Sequence, residues 1–346
     1  DTPESFVPAL YQDGERRLMA PGEIGILPIV PTIRYTVACA YDLDSGDLAA
    51  SRSVLGGGET LYMNRDSLYV AGTRYEEVPS APYTYKIYTV TDYASRTMTD
   101  IVRFDLTGGN LEIAASGSVE GSLYSQFALD AYEGNLRVVT TSYISSWTVY
   151  ADEELGFTNY KWHESTTRNS LFVLDENLSL IGQVTDLAPG EQVYSVRFDG
   201  PVGYITTFRQ VDPLFAVDLS DPTSPQVLSA LKIPGFSQYL HVFGENRLFG
   251  LGMDADEDGR TLGMKLTMFD TTDKTNVTVL HELKLDSRYS PALYNHKAIL
   301  ISPAKKLIGF PVDSGYVFYG YSDAAGFHRL LYTDTAEWSY DSRGLY

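Results

Sequence analysis

The chain has 346 residues, 44% of them hydrophobic and 13% aromatic, with 26 tyrosines among them. That apolar content suffices for a packed core and excludes a disordered chain. A formal net charge of -19 excludes nucleic acid, which needs a basic stripe to meet its phosphates, and argues equally against an anionic membrane surface.

Cys39 is the only cysteine, so neither an intrachain disulfide nor a cysteine metal cluster can form. It lies in "TIRYTVACAYDL", which reads as a strand, and is expected there as a small buried hydrophobe. No run of about 18 apolar residues occurs, so no direct membrane insertion is expected. The opening "DTPESF" carries no signal peptide. A removed signal or excision from a longer chain is expected.

From the first hairpin onward one motif recurs, an apolar strand ending in aspartate and followed by a polar turn. The copies are "AYDLDSGDL" at Asp42, "RFDLTGGNL" at Asp105, "FVLDENLSL" at Asp175, "AVDLSDPTSPQVL" at Asp218 and "MFDTTDKTNVTVL" at Asp270; "FYGYSDAAGFHRL" places Gly320 where the aspartate would stand. Asp suits such turns because its carboxylate accepts from nearby backbone N–H groups. A second strand series interleaves: "DSLYVAGT" from Asp66, "GNLRVVTT" from Gly134, "PVGYITTF" from Pro201, "ENRLFGLG" from Glu245 and "HKAILIS" from His296. Each unit thus holds four strands, a to d, and long helical patterns are missing. A four-stranded unit repeating every roughly 45 to 70 residues predicts an all-β β-propeller of antiparallel blades. The chain holds about six blades' worth in a single domain, 1–346, beginning and ending in mid-blade, for a ring of six to eight.

The run "GEQVYSVRFDGPVGYITTFRQVDPLFAVDLSDPTSPQVLSALKIPGFSQYLHVF", Gly190 to Phe243, resembles secreted bacterial and archaeal proteins described as having a C-terminal beta-propeller domain. "SFVPALYQDG", "SQFALDAYEGNLRVVTTS", "NSLFVLDENLSLIGQVTDLAPGE" and "GMKLTMFDTTD" are similar to the same family. The resemblance implies an extracellular propeller, secreted or attached to the cell surface. It implies no activity and carries over no catalytic residues.

In a four-stranded blade the b–c and d–a connections leave one side of the ring. The long intervals here come from b–c insertions at 74–100 and 142–168, with the acidic loop at Asp254 and the residues before Pro31 as further connections of that kind. The two longest are dense in aromatics: Tyr83, Tyr85, Tyr88 and Tyr93, then Tyr143, Trp147, Tyr150, Phe157, Tyr160 and Trp162. Rings with an apolar face and a polar tip can stack on sugars or anchor a protein, so a protein or glycan ligand is expected on this face, with Tyr83, Tyr85, Tyr88, Tyr143, Trp147, Tyr150, Tyr160 and Trp162 as the contact set. The competing structural reading makes "YTYKIYTV" a hairpin whose rings cover the propeller rim.

"GMDADEDGRTLG" spaces Asp254, Asp256 and Asp258 as calcium ligands at loop positions 1, 3 and 5, with the Arg260 carbonyl at position 7. Lys265 stands where a calcium hand has its bidentate glutamate, and Leu262 where a short loop has an added acid. The motif is half complete, and an acidic hairpin turn at Asp258-Gly259 competes with it.

No G-x-S-x-G elbow, H-E-x-x-H pair, phosphate loop or dinucleotide fingerprint occurs. His241 in "YLHVF" is expected on an inner strand near Arg209, as a channel ligand or proton carrier in one reading and a satisfied structural histidine in the other. "DEE", Asp152 to Glu154, offers paired carboxylates beside aromatics, the requirement of a glycosidase. Three functions follow: a binding module using the aromatic face, a carbohydrate-active enzyme (glycoside hydrolase or lyase) using acids on that face, and a purely structural spacer.

Overall fold

The structure is a computed structural model and describes residues 6–12, 14–27, 34–56, 58–152, 154–208, 212–256, 260–313 and 315–334. Two compact units, 1–183 and 184–346, divide the chain. Among the described residues there is no α-helix, only strands and short 3-10 turns.

The first unit opens with a hairpin, β1 (Ala9–Gln12) and β2 (Glu15–Leu18). Next comes a three-stranded sheet in which β3 (Ile24–Ile26) lies parallel to β5 (Leu48–Leu55), and β5 pairs antiparallel with β4 (Tyr35–Tyr41). Cys39 is exposed, contrary to the expectation from its strand. The period of two explains it. Ala38 and Ala40 of β4 turn toward the cluster around Val54, Val70 and Phe104, which puts Cys39 on the outward side with Val37 and Tyr41.

A blade follows from β6 (Thr60–Met63), β7 (Ser67–Pro79), β9 (Tyr88–Asp105) and β10 (Glu112–Glu120), with the short β8 (Tyr83–Tyr85) between β7 and β9. Another uses β11 (Leu129–Tyr132), β12 (Asn135–Asp152), β14 (Thr166–Leu174) and β15 (Leu180–Leu187), with β13 (Phe157–Trp162) as an extra strand. In the second unit three sheets are each four antiparallel strands in chain order. They are β16 (Gln192–Asp199) to β19 (Gln226–Ile233) through β17 (Val202–Phe208) and β18 (Asp212–Asp218); β20 (Phe236–Val242) to β23 (Thr278–Lys284) through β21 (Arg247–Ala255) and β22 (Thr261–Asp270); and β24 (Leu300–Ser302) to β27 (Gly326–Asp334) through β25 (Leu307–Val312) and β26 (Gly315–Ser322).

The recurring aspartates close the turn between the third and fourth strands. Asp42 Oδ1 accepts from the Asp44 and Ser45 amides, both at 2.9 Å, and Asp105 Oδ1 from the Thr107 amide at 3.1 Å and hydroxyl at 2.7 Å. Asp175, Asp218 and Asp270 repeat the bond to the amide two residues on, each at 2.9 Å. These donors hold the Asp42, Asp105 and Asp270 carboxyls below their ordinary range. In the second unit the ladder slips at one equivalent place per blade, after Ala216, Met268 and Phe318, a repeated bulge that bends and twists the outer edge.

The blades bury both faces. In β7 and β9, Val70, Val102 and Phe104 pack to one side, while Tyr69, Ala71 and Ile101 pack to the other, against Leu129, Leu136, Val138 and Phe172 of the following blade. Strands covered twice read as near-continuous apolar runs, as "LYVAG" and "LRVV" do. In the second unit Tyr204, Leu214, Ala216, Leu240, Leu248 and Phe269 form the equivalent layer.

Candidate functional site

The insertions 74–100 and 142–168 are not loops added to finished strands. Strands β7, β9 and β12 run on beyond their blades, with β9 and β12 each 18 residues long. Past the blade, β9 pairs with β12 from Thr89↔Ala151 to Ser95↔Ser145, and the Ser95 and Ser145 hydroxyls meet at 2.7 Å. On the outer sides lie β13, paired with β12 from Trp147↔Trp162 to Asp152↔Phe157, and β8 with the end of β7, paired with β9. Two insertions some 50 residues apart thereby build a single antiparallel platform. At its root Arg74 bonds Asp100 at 2.7 Å and also Glu76, which in turn holds Arg96 at 2.8 Å.

Residues directly opposite in a sheet share a face, so the register sorts the aromatic set. Tyr93, Trp147 and Trp162 form one cross-strand row, with Tyr160 beside Trp162 on the same face. The Tyr93 and Trp147 rings are parallel within 3° at 5.4 Å, and Trp147 and Trp162 lie 5.0 Å apart. Trp147 is only 8% exposed, whereas Trp162 is 65% exposed and Tyr160 57%.

The opposite face carries Tyr83, Tyr85, Tyr88, Tyr150 and Phe157. Tyr88 meets Tyr150 edge-on at 6.1 Å, and Lys86 Nζ stands 5.3 Å from the Tyr85 ring centre. Polar side chains are concentrated there: Thr148, itself buried, donates to Asp92 at 2.6 Å, and its oxygen lies 3.0 Å from His163 Nε2. Because Thr148 has one proton, committed to Asp92, His163 Nε2 is the donor to Thr148. The expected contact set therefore comes together in one sheet but divides between its two faces. Tyr143 is exposed nearer the root, where β12 is paired with β14.

Of the acids beside the aromatics, Asp152 is buried and accepts from the Glu154 and Leu155 amides, both at 3.1 Å, closing the turn from β12 to β13. Glu153 lies outside the described residues.

The acidic loop of the second unit joins β21 to β22. Asp254 is buried on β21 and its carboxylate is bound by Lys284 Nζ at 2.7 Å. Asp256 accepts from the Arg260 amide at 2.8 Å, and its own amide donates to the Arg260 carbonyl at 3.0 Å. Asp258 and Gly259 lie outside the described residues. The calcium set is described only in part, since its third carboxylate, Asp258, lies outside the described residues. A lysine neutralises Asp254, the Arg260 carbonyl already accepts a hydrogen bond, and no group of three potential metal-ligating side chains occurs among the described residues.

His241 lies on β20, the first strand of its blade. Its Nδ1 is 3.0 Å from Tyr239 Oη, and the Arg197 guanidinium, from the preceding blade, sits 5.6 Å from the Tyr239 ring centre while donating to the Leu240 carbonyl at 2.9 Å. Burial, helped by Arg197, pushes His241 down to about 4, so it is neutral at neutral pH. His296 is lowered by the same two influences together with Lys297. Arg209 lies outside the described residues. Sequence reasoning missed Arg197 and Tyr239, whose shared position on the first strands of successive blades was the available signal, and His296, which opens a 3-10 turn ahead of β24. A cleft of about 430 Å³ between β23 and the last blade, lined by Asp286, Tyr319, Phe327 and Arg329, had no signal in the sequence.

The architecture is that of a β-propeller carrying a sheet built from two blades' extended strands. The family described as Beta propeller domain matches residues 1–344, and the chain belongs to it. An uncharacterized protein of Archaeoglobus fulgidus is 38% identical over 221 residues, 64% of this chain and 31% of that protein. One of Methanocaldococcus jannaschii is 37% identical over 204 residues, 59% of this chain and 29% of its own length. The chain thus spans about a third of the length of the curated relatives it matches. Among solved structures it is similar to the Pseudomonas aeruginosa periplasmic gluconolactonase, at 12% identity, TM-score 0.39, and coverage of 86% of this chain and 91% of that one. Hsv2 of Kluyvelomyces marxianus follows at 10% identity and TM-score 0.29, covering 72% and 78%. Likeness at that level supports no inference about activity.

Proposed function

We propose that the chain is an extracellular binding module, secreted or attached to the cell surface, that recognises a protein or glycan through the platform formed by β8, β9, β12 and β13. The observation that carries this reading is the merger of two insertions into one sheet whose large aromatics stay in solvent. Trp162, Tyr160, Phe157, Tyr83 and Tyr85 are each more than half exposed. Contiguous exposed apolar surface on a rigid element is where ligands are bound. The turn-closing bonds of Asp152 occupy one acid of the alternative enzyme, and no observation favours that reading over binding.

A glycan and protein array, followed by incubation of any polysaccharide hit and analysis for new reducing ends, tests the proposal. Binding without product release is expected. Cleavage abolished by Glu154→Gln would instead establish the carbohydrate-active enzyme. Interactions unaltered when Trp147 and Trp162 are both replaced by alanine would leave only a spacer.

A further inference from the structure

The two faces of the platform differ in chemistry, and the difference selects a ligand. From Tyr93 outward to the tip, the face of Tyr93, Trp147 and Trp162 carries no charged side chain along its described register. In line with the aromatic row stand Thr91, Val149 and Tyr160, then Thr84, Thr89, Ala151 and Thr158. The nearest charged group in register on that face is Glu77, at the root opposite Ser95. On the opposite face lie Asp92, Lys161 and Asp152.

Within the charge-free face the rings have separate duties. Trp147 is too buried to meet a ligand; sandwiched between Tyr93 and Trp162, it fixes the Trp162 indole from behind. Trp162 and Tyr160, two residues apart on the edge strand, present their surfaces about 7 Å apart. Threonine hydroxyls border them. Flat fixed rings with neutral hydroxyls match the flat C–H faces and hydroxyl rims of pyranose sugars whose substituents are equatorial. Holding the rings in place in advance lowers the ordering cost of binding.

Size and charge separate this ligand from others. Six residues of β13 and four strands' width make a face of no more than about 400 Å². A stable protein interface takes about 800 Å² from each partner, while an oligosaccharide needs less. A net charge of -19 opposes polyanionic glycans.

Resting on the reading of the platform as a recognition surface, we propose that this face binds a neutral, equatorially linked polysaccharide. Trp162 and Tyr160 are the contact residues, and Trp147 and Tyr93 are positioning residues.

Affinity electrophoresis through gels containing a β-glucan, a xylan or a mannan, with heparin and polygalacturonate as anionic counterparts, tests it. Retardation by at least one neutral polymer and by neither polyanion is expected. The Tyr160→Ala/Trp162→Ala pair should weaken that binding at least tenfold, and the opposite-face pair Tyr85→Ala/Phe157→Ala less than twofold. All four residues are exposed, so both variants should melt with the wild type, which is the control for folding. Retardation by polyanions instead, or an equal loss in the opposite-face variant, overturns the assignment. A protein ligand lost on Tyr160→Ala/Trp162→Ala, with no polysaccharide bound, overturns the glycan while leaving the platform a recognition surface. Loss of no interaction in either variant overturns both.

Discussion

Strands β7, β9 and β12 each pass through two environments, and the contrast within a single strand is instructive. Inside the blades both faces are covered, and Val70, Ile101, Leu136 and Val138 are at most 1% exposed. A few residues further along, the same strands continue as a sheet on both sides of which rings more than half exposed stand, around a buried centre of Val90 and Trp147. Blade residues need only be apolar and of suitable volume. Platform residues hold their place through strand pairing, ring-to-ring contact and a few side-chain hydrogen bonds, and the rings at its edges remain accessible to something else. An exposed sheet that keeps large aromatics offers burial to a partner, whereas the blade interior has none left to give.

The largest effect expected from breaking this contrast is on the blade side. Leu136→Ala empties a fully buried site between two blades and should cost about 3 to 4 kcal/mol in urea unfolding, with all parts of the first unit affected. On the platform side, Trp147→Ala should cost about 3 kcal/mol, but locally. Hydrogen exchange should accelerate at residues 89–95 and 145–151 while the amides of β11 and β14 keep their protection. Equal acceleration in the blade would show that the platform is not a separate layer.

A smaller, pH-dependent effect sharpens the comparison in the second unit. His241 titrates near 4 in the fold against about 6.5 when unfolded, so the unfolded chain binds more protons between those values. Stability is therefore full above pH 6.5 and is lost as pH falls toward 4, by roughly 3 kcal/mol. Replacing His241 with asparagine should flatten melting temperature across that window.

Much of the fold was legible along the chain because its signals are local. The turn aspartates bond amides two residues away, so the repeat that predicts four-stranded blades is written within a few residues of each turn. Alternation told less where a strand's neighbours were unknown. Cys39 was expected inside, yet its alanine neighbours face the core. The spacing of Asp254 and Asp256 suggested a cation, but the group that meets Asp254 is Lys284, from the next strand but one in the same sheet.

By itself the sequence determined most of the strands and turns, the propeller class and the two aromatic insertions, through hydrogen bonds and periodicities a few residues in range; "HKAILIS" is an exception, a 3-10 turn leading into the first strand of its blade and not the second. Tertiary structure alone decided that the insertions pair with each other, that Trp147 is buried while Trp162 is open, and which tyrosines share a face with the tryptophans. Those outcomes depend on the register between β9 and β12, strands about 50 residues apart, and a shift of one residue would exchange every side chain between the two faces.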